Sequence, residues 1–120
     1  MSRWELPPHR AVQPVEPPVR VRVHPGRIWP PARIGWATGV ALWTRALGVK
    51  LSSPTAGELT ELVLTETGDL LARLRFPITV EHHPREEVML LPLSDLFEPA
   101  TAADRERLLQ LLEPYDRGWR

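Results

Sequence analysis

Fourteen prolines stand in this chain of 120 residues, and eight of them fall within the first 31. Proline fixes φ and donates no backbone hydrogen bond, so no long helix can run through that stretch. The segment ELPPHRAVQPVEPPVR is predicted to be an extended arm, partly polyproline II. The organisation expected is therefore an arm over residues 1–18, a folded unit over 19–113 and a tail over 114–120.

Past the arm, the hydrophobic pattern changes to period two. VRVRV (19–23) alternates strictly, which predicts a strand with its valines inward and Arg20 and Arg22 outward. HPGR (24–27) signals a turn. RIGWATGVALW follows as a β-prone run interrupted by Gly35 and Gly39, and ALGVKLSS (46–53) alternates again. LTELVLT (59–65), LLARLRFPITVEHH (70–83) and EEVMLLPLSDL (86–96) complete six strand-like runs, with PTAGE and ETGD as turns between them. Short strands at such spacing predict a mainly β chain, a small antiparallel six-stranded barrel.

The last segment has a different period. In TAADRERLLQLLEP (101–114), Thr101 is an N-cap candidate, with Asp104 placed to complete a capping box. Leu108, Leu111 and Leu112 form an apolar stripe at helical spacing, widened by Leu109, and Pro114 is expected to stop the helix. Such a stripe must dock on something: the mouth or flank of the barrel, or a protein partner.

Composition narrows the chemistry. There is no cysteine, which removes disulfides, thiolate metal sites and cysteine nucleophiles, and fits a reducing, cytoplasmic setting. No run is long and apolar enough for a membrane span, and the N-terminus has no apolar secretion core. The chain shows no GxSxG elbow, P-loop, GxGxxG or HExxH. His82 and His83 are adjacent on a predicted strand, so they point to opposite faces and do not share a metal. The expectation is a chain with no catalytic residue, no metal ligand and no resident cofactor.

The zero net charge hides a split. Residues 1–50 carry seven Arg and Lys50 against Glu5 and Glu16; residues 51–120 carry seven Arg against thirteen acids. The basic half can be a binding face, or the two halves can attract each other within one fold. Arg20, Arg22, Arg27, Arg33 and Arg45 are interleaved with Trp29, Trp36 and Trp43. Guanidinium forks suit phosphates and aromatic planes suit bases. Trp36 and Trp43 fall in strand-like runs and read as core. Arg20, Arg22, Arg27, Trp29 and Arg33 are then the candidate ligand set, centred on RIWPPARIGW (27–36). That stretch is either a ligand platform or a stiff crossing whose aromatics plug the core.

The order of basic arm, small antiparallel barrel and closing leucine-rich helix resembles a PilZ domain. MLLPLSDLFEPATAADRERLLQLL (89–112) is similar to the last PilZ strand, its polar turn and its closing helix. GELTELVLTETGDLLARLRFPITVEHH (57–83) is similar to the paired strands before it. The resemblance covers about residues 19–113 and implies a regulatory role in bacterial cyclic di-GMP signalling, some such domains being attached to cellulose-synthase-type glycosyltransferases. The family reads cyclic di-GMP with RxxxR and [D/N]xSxxG motifs, and this chain departs from both. Four residues beyond Arg20, Arg22 and Arg27 stand His24, Gly26 and Pro31, and LSSPTAG (51–57) lacks the leading Asp or Asn. No ligand residue of the family carries over. The resemblance thus implies a non-enzymatic adaptor that has lost the dinucleotide and acts through protein partners, Leu108, Leu111 and Leu112 being the candidate partner-binding residues. The competing readings are a small barrel that takes nucleotide or single-stranded nucleic acid through residues 20–45, and a non-catalytic subunit of a glycosyltransferase system.

Overall fold

The computed structural model describes residues 10–29 and 47–118. Five strands and two helices follow in the order β1 (Val12–Val23), α1 (Pro25–Ile28), β2 (Thr55–Leu64), β3 (Leu70–Val80), β4 (His83–Pro92), β5 (Phe97–Pro99) and α2 (Ala102–Gly118). The strands form one antiparallel sheet in the order β4-β3-β2-β1-β5.

The expected six-stranded closed barrel is corrected to an open five-stranded sheet, because β4 and β5 do not pair. The described part of the run predicted at 46–53, residues 47–53, does not form a strand: Leu47 and Val49 lie exposed, and alternation without burial does not hold a strand in place. The Gly35/Gly39 run lies outside the described residues. The sheet is nonetheless curled. Only four residues join Pro92 to Phe97, a reach of about 17 Å. Crossing from edge to edge of a flat five-stranded sheet needs about 19 Å.

Alternation sorts the two faces. Val15, Val19, Val21, Val23, Leu59, Leu62, Ala72, Leu74 and Phe76 are buried on the inner face. A register shift between Leu59 and Glu61 lets β2 keep Leu62 inward beyond it. Gly57 lies opposite Val21 on that face; a Cβ there would come within 3.0 Å of the Arg75 carbonyl oxygen, Phe76 Cβ and Val23 Cγ2.

β1 starts at Val12, seven residues before the predicted alternation, and runs through three prolines. The register with β2 breaks between Pro14 and Val19, so Pro17 and Pro18 fall where no ladder hydrogen bond is required.

α2 begins as expected. The Thr101 hydroxyl accepts from the Asp104 amide at 3.2 Å and donates to the Asp104 carboxylate. The helix does not stop at Pro114 but continues to Gly118. Proline removes one helical hydrogen bond; burial of Tyr115 in the core, directly after it, offsets that loss. Leu108 is buried, and Leu111 and Leu112 pack against the same core. Among the described residues no helix is long and apolar enough to cross a membrane.

Candidate functional site

Strand alternation puts Arg20, Arg22, Glu58, Arg75 and Glu86 on the outer face of the sheet. Arg20 lies opposite Glu58 on β2, Glu58 opposite Arg75 on β3, and Pro77 opposite Glu86 on β4. Arg75 donates to Glu58 and sits 3.5 Å from Glu86, and Arg73 Nε donates to Glu61 at 2.7 Å. Arg20 Nε, on a side chain 72% exposed, is 4.0 Å from Asp104 at the start of α2. A row of alternating charge therefore crosses the sheet, and a groove of about 470 Å³ runs along it between Arg20, Glu58, Arg75 and Glu86.

A second cluster joins β1 to β5. Arg22 lies opposite Glu98, and His24 Nε2 is 2.6 Å from the Glu98 carboxylate. The His24 hydrogen bond holds Glu98 below the usual carboxylate range, with Arg22 and Arg27 adding to it. Arg27 donates to the Asp95 carbonyl at 2.7 Å. The Thr101 hydroxyl, then Arg20, lower Asp104 in the same way. The basic first half and the acidic second half thus meet inside one fold.

These positions divide the predicted ligand set. Arg20 and Arg22 share the outer face. Arg27 sits on α1 beside the β4–β5 turn. Trp29 turns inward and half-buries its ring against Phe76, with centroids 6.4 Å apart and planes tilted by 46°. Arg33 lies outside the described residues, as do Trp36, Trp43 and Arg45. The described arginines and Trp29 therefore form no common stacking platform. Leu108, Leu111 and Leu112 face the sheet, and the exposed leucine of α2 is Leu109.

Sequence reasoning missed the acidic partners Glu58, Glu61, Glu86, Glu98 and Asp104. The signal for them was present in the charge split; Glu58 and Glu61, three residues apart, share a face only through the register shift in β2. A second concavity, about 880 Å³, opens between the β2–β3 turn, the ends of β3 and β4, and α2. Apolar Leu71 and Leu93 line it, and its rim carries the exposed Leu109 with Asp69, Glu106 and Glu113. Among the described residues no three His, Asp or Glu side chains gather as a metal site. No family model matches the sequence, and no curated protein and no solved structure matches it either.

Proposed function

We propose that this chain is a non-enzymatic, PilZ-like adaptor module of cyclic-di-GMP-linked signalling that acts through protein partners and does not itself take the dinucleotide. One observation carries the reading: of the described arginines of the candidate set, Arg20 lies 4.0 Å from the Asp104 carboxylate, Arg22 lies opposite Glu98 in the β1–β5 register, and Arg27 donates to the Asp95 carbonyl. A phosphate at Arg20 or Arg22 would bring its own charge beside Asp104 or Glu98, and one at Arg27 would have to displace a backbone carbonyl, which costs rather than gains. The acidic rim of the larger cleft disfavours an anion there as well. The inward position of Trp29 supports the same reading, since it takes away an aromatic plane for a base.

Calorimetric titration of the full chain with cyclic di-GMP, with GTP and single-stranded DNA as controls, tests the proposal. No heat with any of the three is expected from a folded sample. Micromolar binding of cyclic di-GMP that disappears in Arg20→Ala, Arg27→Ala or Arg33→Ala overturns it and makes the chain a receptor.

A further inference from the structure

Among the described residues the free edge of the sheet is β4, and its sequence HPREEVMLLP is built around Val88. We infer that this edge pairs with the same edge of a second copy of the chain, antiparallel, about a two-fold axis at Val88.

The hairpin geometry fixes which backbone groups are available. Val80 and His83 close a two-residue turn, so they form a hydrogen-bonded pair and the pairs alternate from there. The pairs Pro77–Glu86, Arg75–Val88 and Arg73–Leu90 are then of the open kind. The other side of β3 agrees. The carbonyls of Arg73, Pro77 and Thr79 accept from Thr60, Thr55 and Lys50, so they point away from β4. Glu86, Val88 and Leu90 must therefore aim their amides and carbonyls outward. Among the described residues no backbone or side-chain hydrogen bond reaches that side.

Pro84 and Pro92 lie at the same outward-facing parity, four residues to either side of Val88. They bracket three residues with free amides. Aligning Val88 with Val88 of the second copy gives three complete pairs: Val88 with Val88, and Glu86 with Leu90 twice. Six backbone hydrogen bonds result. Sliding two residues toward His83 sets Glu87 against Glu87, and two more set Glu86 against Glu86. Sliding toward Pro92 brings a proline into the ladder and leaves two complete pairs. In the favoured register no like charges stand directly opposite. Val88, 52% exposed on the outer face, meets Val88 of the second copy across the axis, and Leu90, 38% exposed, stands diagonal to it.

The second copy is also the occupant at which growth of the sheet ends. On the opposite side of the sheet, β5 is three residues long, Ala100 donates to the Arg20 carbonyl, α2 packs along β1, and Pro14, Pro17 and Pro18 interrupt the strand. One usable edge among the described residues gives a closed, isologous pair and not a filament.

Sedimentation of the full chain across a concentration series, with amide exchange at Glu86, Val88 and Leu90, decides the matter. The expected result is a mass twice 13.7 kDa, with those three amides becoming protected as the dimer forms. Val88→Pro places a proline where β4 already carries two and removes no bond to β3. It is expected to return the mass to that of the single chain with unchanged circular dichroism. Should that variant fail to fold, Val88→Lys keeps the amide, sets two lysines face to face and is expected to give the same shift. A single-chain mass at every concentration overturns the inference and leaves the edge to a strand of a different protein. So does a dimer that persists in a folded Val88 variant, or one whose three amides stay unprotected.

Discussion

Replacing Trp29 by alanine separates a core tryptophan from a ligand platform. The ring is half-buried against Phe76, which is itself 1% exposed. Truncating a fully buried tryptophan costs about 3–5 kcal/mol. Half the buried area brings Trp29→Ala to about 2 kcal/mol. The tilted ring pair adds specific coupling of about 0.5–1.5 kcal/mol beyond that area. A double-mutant cycle with Phe76→Leu, read by urea denaturation at constant m, isolates that part. Trp29→Ala is expected to lower the midpoint, and the double variant to lose less than the sum of the single losses. A Trp29→Ala protein within about 0.5 kcal/mol of wild type, with no coupling to Phe76, refutes the inward placement and restores Trp29 as a stacking surface.

Other expectations concern the caps, turns and charge pairs. Thr101→Ala removes the cap of α2 and is expected to cost about 1 kcal/mol, seen as a lowered melting temperature with most of the helix signal retained. Glu81 and His82, the centre of the β3–β4 turn, both have positive φ, at 53° and 65°. His82→Gly is accordingly expected to stabilise the chain by about 0.5–1 kcal/mol in urea titration; a loss of stability contradicts that turn. Glu98 and Asp104 titrate below the usual carboxylate range in the folded chain. Their stabilising contribution is complete above the unfolded carboxylate range and disappears as pH falls through the lowered values. The urea midpoint is expected to fall with acid over that window, less steeply in Glu98→Gln. A midpoint that rises on acidification contradicts the sign.

Much of the sheet was legible because one of its faces is buried. Val19, Val21 and Val23 alternate against Arg20 and Arg22, and a one-residue slip would exchange the two sets. The cap and stripe of α2 could be read for the same reason: Thr101, Asp104 and Leu108 each do one local task. Other features depend on contacts distant in sequence. The start of β1 at Val12 was hidden by prolines that a register break tolerates. β5 is too short for any periodicity. The β3–β4 turn contains no glycine or asparagine to announce it, and Tyr115 follows the proline that ordinarily ends a helix. At the candidate site the arginines were visible, but their carboxylate partners come from four other elements and emerge only from strand register. The two readings of RIWPPARIGW separate at Trp29, whose inward ring fits the structural crossing.

The central claim is that the fold's own carboxylates occupy the arginines of its outer face, Arg20, Arg73 and Arg75. Retention on a polyanion matrix at low salt tests it most directly, since free arginines bind such a matrix in a salt-dependent way. The wild-type chain is expected to pass through, and the variant carrying Glu58→Gln, Glu61→Gln and Glu86→Gln to be held until salt is raised. Retention of the wild-type chain, lost in Arg20→Ala and Arg22→Ala, contradicts the account and makes the outer face an anion-binding surface.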